Sequence, residues 1–273
     1  PALALALLGK GTASRGRRSE ARTQLEASLR YARTADNLLS CAMALNNLSH
    51  IAQAEGDHAE SERLLRECLA IYQRKDLASG VASTLGNLGY SFALQGDHEK
   101  ALAYYHQALS VAKAQDDPMT VMVNIGNIAA SHQALGQPET AIKEHQQSLQ
   151  MAREQSNLRW VASNLNALGH TYFELHDYAS ATRYLSEGLA IAGKIAGVTD
   201  ALAAVTLMAQ VWMQQGNIVA ALRALFFVTQ QPAAAAWTKQ EVQALLDELA
   251  AELPPAAVTE AQRWASAQTV GEM

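Results

Sequence analysis

A 40-residue step is written through this sequence, and it leaves few folds open. The stretch Thr84–Ala112, TLGNLGYSFALQGDHEKALAYYHQALSVA, reads as a helix, a tight turn at Gly96–Asp97 and a second helix. Moving 40 residues in either direction lands on a variant of it. The turn glycine recurs as Gly16, Gly56, Gly96, Gly136 and Gly216, with His176 in the remaining slot. Small residues recur at Ser28, Cys68, Ala108, Ser148 and Gly188, and again at Ala21, Ser61, Ala101, Ala141, Ala181 and Ala221. Apolar columns run through Leu8, Leu48, Leu88, Ile128 and Leu168, and through Leu29, Leu69, Leu109, Leu149 and Leu189. A shorter column is Asn47, Asn87, Asn127. Self-similarity at this period marks a helical repeat array in which each unit packs mainly on its neighbours.

Composition agrees. The chain has 273 residues and is 49% hydrophobic but only 6% aromatic, which suits close helix packing through alanine rather than one bulky core. A net charge of −5 gives no general field to recruit nucleic acid. Its two cysteines form neither a metal pattern nor a disulfide framework, and reduced cytosol is the expected compartment. The apolar run Ala2–Leu8 is too short to span a bilayer and is read as part of a first helix. The chain opens on Pro1 mid-pattern and is expected to be a segment of a longer protein.

The helical spacing predicts pairs over Ala2–Arg15 with Arg18–Arg33, Asn37–Glu55 with His58–Arg74, and Leu77–Gln95 with His98–Ala114. Three more follow: Pro118–Leu135 with Pro138–Glu154, Asn157–Leu175 with Tyr178–Lys194, and Thr199–Gln215 with Ile218–Gln230. Asp36, Asp76, Asp116 or Asp117, and Ser156 are the expected caps of the first helices. After Pro232 the register is lost, and helices Thr238–Leu253 and Pro255–Gln268 are expected to cover the last apolar face, with Thr269–Met273 fraying.

Leu88-Gly89, Phe92, Gly96-Asp97, Ala101, Tyr105 and Ala108-Leu109 resemble the tetratricopeptide (TPR) pattern of large and small residues, over roughly residues 2–230. The unit is longer than the usual TPR, with six extra residues between pairs, for example Arg74–Ser79, as in kinesin light chains and bacterial signalling proteins. HEAT repeats match the length but lack the Gly-Asp turn. The resemblance implies an all-α protein: a right-handed TPR α-solenoid of about six helix pairs over 1–231, with capping helices over 232–273. It further implies a protein- or peptide-binding module, similar to the C-terminal sensor arms of bacterial signal-transduction ATPases. There the array acts on an upstream nucleotide-binding domain of the same chain. A free-standing adaptor and a receptor for a small-molecule inducer near His170 and Phe173 are the alternatives.

No catalytic chemistry assembles from the residues. Gly9–Thr12, GKGT, lacks the spacing of a phosphate loop. None of the eight histidines sits in a metal pattern; His58 and His98 share a column with Tyr178, which means packing. Cys68 is expected to pack rather than react. Asn47-Leu48-Ser49 fits a glycosylation sequon but falls in mid-helix. Lys10, Arg15, Arg17, Arg18, Arg22, Arg30 and Arg33 make the first pair basic, read as a solvated terminal face, with contact to an acidic neighbouring domain or nucleic acid as the alternative. No enzyme activity, cofactor or metal is expected, and neither a membrane nor a nucleic-acid partner.

Under the resemblance, the first helix of each pair lines a concave groove that takes a protein or an extended peptide. Asn46, Asn47 and His50 are the groove candidates in the second pair, and Asn87 and Tyr90 in the third. Asn127 and Gln133 follow in the fourth, with Asn166, His170 and Phe173 in the fifth. Asparagine costs helix propensity relative to alanine, so three at one repeating place call for a reason. Either their carboxamides pair with a ligand backbone, or they bond the adjacent repeat. Lysine and arginine are absent from Asn37–Glu55, Leu77–Gln95 and Pro118–Leu135, which argues against a clamp for a terminal carboxylate.

Overall fold

The computed structural model describes residues 18–232, 234 and 236–268. The first helix of the first pair, the turn at Gly16, GKGT, and Thr269–Met273 lie outside the described residues. Those described form thirteen helices: α1 (Arg18–Thr34), α2 (Leu38–Ala54), α3 (His58–Arg74), α4 (Ala78–Leu94), α5 (His98–Ala114) and α6 (Pro118–Ala134), then α7 (Pro138–Glu154), α8 (Leu158–Glu174), α9 (Tyr178–Lys194), α10 (Val198–Gln214), α11 (Ile218–Gln230), α12 (Ala236–Glu252) and α13 (Pro255–Ser266). They fall into two compact units that divide after Gly136. Within each unit, consecutive helices pack as the pairs of a helical solenoid.

Helices α1 to α10 are each 17 residues long and follow one another after three-residue connections. The residues beyond a usual TPR therefore do not form the expected six-residue spacer at Arg74–Ser79. They lengthen both helices, and only Lys75–Leu77 lies between α3 and α4. Each three-residue connection ends one helix and starts the next. Its middle residue is left-handed: Asp36, Gly56, Asp76, Gly96, Asp116, Gly136, Ser156, His176, Ala196 and Gly216 all have φ between 48° and 78°. Its last residue closes the helix behind by donating to the carbonyl five positions back, as in Asp57 N to Ala52 O at 2.9 Å and Leu77 N to Tyr72 O at 3.0 Å.

That same last residue is the N-cap of the helix ahead. Asn37, Asp57, Asp97, Asp117, Asn157 and Asp177 each accept, through a side-chain oxygen, from the N–H three residues on. The expected caps are corrected accordingly. Asp117 caps, but Asp36, Asp76, Asp116 and Ser156 sit one residue early, in the left-handed slot that glycine fills within the pairs. Small polar residues tolerate that slot because their side chains bond locally. Leu77 stands at the cap of α4 and supplies no side-chain bond.

The periodic columns are the core. Ala21, Ser61 and Ala101 in the first unit and Ala141, Ala181 and Ala221 in the second have no exposed surface, and neither do Ser28, Cys68, Ala108 and Ser148. These small residues let helices approach closely. Gly89 lies against the ring of Tyr105, and Gly169 against Leu185, each leaving no room for a β-carbon. Cys68 donates to Ala42 O at 3.3 Å, and burial pushes its thiol up to about 11, so it packs rather than reacts. In the second unit Leu222, Leu225 and Phe227 of α11 join Val242, Leu246 and Leu249 of α12 and Ala261 and Ala265 of α13 in one cluster. Those last two helices cover α11.

Candidate functional site

Among the described helices of the first unit, the second helices carry the charges and the first helices, α2, α4 and α6, carry none. Among α2, α4 and α6 there is no Asp, Glu, Lys or Arg. On α1 and α3, by contrast, Arg22 pairs with Glu55 at the end of α2, and Arg33 Nη2 lies 2.6 Å from Glu67 Oε1. The basic first pair is thus partly neutralised by the next repeat. Such exposed pairs are worth about 0–1 kcal/mol each, so they set register more than stability.

The uncharged helices are not uniformly buried. Asn47, Asn87 and Asn127 are half-buried at equivalent places, and His50 is exposed. Tyr90 and Leu94, one turn apart on α4, are 46% and 44% exposed. Asn87 Nδ2 donates to Asn46 Oδ1 across the repeat boundary at 2.7 Å. Asn46 Nδ2 lies 3.4 Å from His50 Nε2, and His50 Nδ1 lies 3.2 Å from Gln53 Oε1. A neutral imidazole with its proton on Nδ1 satisfies all three contacts in one direction, from Asn87 to Gln53. Asn47 and Asn127 make no side-chain hydrogen bond among the described residues. The asparagine column therefore holds two kinds of residue: Asn87 bridges repeats, and the other two present open amides. Gln133 is half-buried near the end of α6.

Asn166 is placed elsewhere. It is 8% exposed, donates from Nδ2 to Asp200 O at 2.9 Å, and packs its carbonyl against Gly188. Its column faces the neighbouring repeat: at the equivalent Gly86, a β-carbon would lie 3.1 Å from Asn124 Oδ1. His170 and Phe173 lie on α8 in the second unit. His170 Nε2 is 3.8 Å from Glu174 Oε1, and the Phe173 ring tilts at 48° toward Tyr178 with centroids 6.0 Å apart.

The second unit also buries a histidine that sequence reasoning left unexamined. His145 is 3% exposed, in the column that holds Leu25, Leu65, Tyr105 and Leu185. Its Nδ1 lies 3.3 Å from Asn164 Oδ1, while Asn164 Nδ2 donates to Ser148 Oγ at 3.1 Å and Trp160 O at 2.9 Å. Burial drives its pKa down to about 4, with the Asn164 bond opposing, so it is a neutral core residue. A polar residue in an otherwise apolar column was the available signal.

A cleft of about 520 Å³ opens between the N-terminal halves of α2 and α4. Leu39, Asn46, Tyr72, Gly80 and Ser83 are among its walls. Sequence reasoning missed it too. The signals were the small run Ala78-Ser79-Gly80 and a leucine where α2, α6 and α8 have Asn or Asp caps. Among the described residues no group of three His, Cys, Asp or Glu side chains is placed to hold a metal ion. No described helix is long and apolar enough to cross a membrane.

Antiparallel helix pairs on a fixed frame, with small buried columns between them, define a helical-repeat protein of the solenoid class. Within that class the sequence is specific: a tetratricopeptide repeat profile matches residues 40–114 and 119–194, more than half of the chain. The chain belongs to the tetratricopeptide repeat family, whose fold typically serves protein interaction.

No curated protein matches it in sequence. Solved structures do match in fold. BtubC from P. vanneervenii is 20% identical, with a TM-score of 0.61 over 83% of this chain and 91% of that one. A Rap protein complexed with competence and sporulation factor is 13% identical, with a TM-score of 0.69 over 91% of this chain and 76% of that one. A signal-transduction ATPase with numerous domains from Pyrococcus horikoshii, which has a tetratricopeptide repeat sensor, is 14% identical with a TM-score of 0.62. This chain is covered to 97% in that match but spans only 38% of the ATPase.

Proposed function

We propose that this chain is a binding module for a protein or an extended peptide, which it takes along the first-helix face of its first unit. The observation that carries this is the absence of Asp, Glu, Lys and Arg from α2, α4 and α6 together with the exposure of Tyr90 and Leu94. A solvated helix face is normally charged. A face that combines open amides with exposed apolar side chains suits main-chain hydrogen bonding and apolar anchoring by an extended ligand. The module is the partner-recognition or sensor arm of a larger signalling protein, a reading supported by the sensor likeness above.

Binding is tested with two surface variants, Tyr90→Glu and the double variant Asn47→Ala, Asn127→Ala, neither of which removes a buried group. A partner captured from the source cell by the wild-type chain is lost from both, while the melting curves stay within a few degrees. Retention of that partner by both variants refutes the first-helix face. The sensor role is tested upstream: a phosphate loop in the sequence before Pro1 supports it, and its absence favours an adaptor.

A further inference from the structure

The cleft between α2 and α4 has a composition of its own. Its walls are the ring of Tyr72, the exposed side chain of Leu39 and the backbone of Gly80. Gly80 packs its backbone directly on one side of the Tyr72 ring, where any β-carbon would overlap it. Its polar lining is rich in acceptors. Ser79 and Ser83 make no side-chain hydrogen bond among the described residues, and Asn46 Oδ1 accepts only one, from Asn87. One formal charge lines the cleft, the carboxylate of Asp76, which has no ion-pair partner among the described residues. Lys75 lines the neighbouring hollow with Asp36 instead. With α2, α4 and α6 free of Lys and Arg, nothing on those helices repels a cation.

We infer that this cleft is an anchor pocket for a basic side chain, arginine or lysine, carried by an extended peptide. The inference rests on the peptide-binding reading and gives it a specificity. Aliphatic methylenes lie along Leu39, the cation stacks on the Tyr72 ring, and its N–H groups donate to Asp76 and to the serine and asparagine oxygens. The volume is within the usual range of roughly 300–1,000 Å³ for ligand pockets. Because Leu77 provides no side-chain cap, the first-turn N–H groups of α4 remain for a carbonyl of the peptide backbone. An acidic side chain would instead meet Asp76.

The test uses the full chain, isotope-labelled, titrated with single-residue probes and followed by amide chemical shifts. N-acetyl-arginine amide is expected to shift Ser79, Gly80 and Ser83 saturably at millimolar affinity, at least about fivefold more tightly than N-acetyl-norleucine amide. Asp76→Asn should abolish that preference without disturbing the turn, since asparagine also tolerates a left-handed backbone. Equal affinity for norleucine, preference for N-acetyl-glutamate amide, or no shift at these residues up to roughly 20 mM overturns the inference. Binding of agmatine as tight as that of the arginine amide would assign the pocket to a free cation and refute the peptide. The probes report the cleft alone, so their failure leaves the Tyr90 and Asn127 face to its own test.

Discussion

His145 should make the second unit sensitive to acid, and the size of the effect follows from its burial. The side chain is 3% exposed, and its pKa is about 4 in the fold against an ordinary 6.5. As pH falls, the unfolded chain takes up this proton first. Stability is therefore full above pH 6.5, declines between 6.5 and about 4, and is level below. At about 1.4 kcal/mol per unit, the loss across that window is roughly 3 kcal/mol. His145→Leu places in the fold the residue that the same column holds at Leu25, Leu65 and Leu185, and it removes the slope. Asp200, raised by burial, contributes the opposite slope, but equally in both proteins, so it cancels in the comparison. Urea titrations of wild type and variant at about pH 7.5 and about pH 4.5 measure the difference, with amide exchange in α7 and α8 as a second, local readout. Parallel pH dependence in the two proteins would refute the assignment of a neutral, desolvated histidine.

Ala196 holds φ at 50°, where glycine stands in four other connections, so Ala196→Gly should raise the melting temperature by an equivalent of about 1 kcal/mol. Gly216→Ala should lower it. Gly89→Ala would put a β-carbon 2.7 Å from the Tyr105 ring and 3.1 Å from Ala101 O, and should cost roughly 1–3 kcal/mol in a denaturant titration, part of it recovered by adding Tyr105→Leu. Among the asparagines, Asn47→Ala and Asn127→Ala should be neutral or stabilising by up to about 0.7 kcal/mol through helix propensity. Asn87→Ala loses its bond to Asn46, worth about 0.5–1.5 kcal/mol, and should melt below the other two. Equal melting of all three would show that the bridge contributes nothing.

The 40-residue period, the helix pairs and the buried columns were legible because each rests on residue size repeating at fixed intervals. The finer 20-residue frame was hidden. Its signature is a backbone angle, and glycine, aspartate, serine, histidine and alanine all meet it, so no single letter marks the slot. The capping error has the same origin: where Asp116 and Asp117 adjoin, one ends a helix and the other starts the next. On the first helices, polarity pointed to an uncharged face, and α2, α4 and α6 carry it. A helical wheel could not tell which of its columns meets solvent and which meets the neighbouring repeat. Asn166, read as a groove residue, faces the neighbouring repeat. The cleft is marked by what is missing at its wall, a side chain at Gly80 and a side-chain cap at Leu77, and absences leave little trace in a pattern of large and small residues.

These placements divide the work between the two helices of a pair. The second helices hold the fold: their small columns at Ser28, Cys68 and Ala108 set the approach distance, and their ion pairs fix register from one repeat to the next. Those demands involve side chains facing inward or toward the neighbouring second helix. The exposed edge of a first helix is asked for little beyond helix propensity, and yet α2 and α4 spend it on asparagine, glycine, serine and tyrosine, all poorer helix formers than the alanine used freely elsewhere. A residue that costs propensity, makes no bond within the fold and stays at least partly exposed is not explained by stability. Asn47, Tyr90 and Asn127 meet that description on the helices that carry no charge, whereas Asn87 and Asn166 repay their cost in bonds between repeats. Under the proposed binding role, these uncompensated residues are the ones that recover their cost from a ligand.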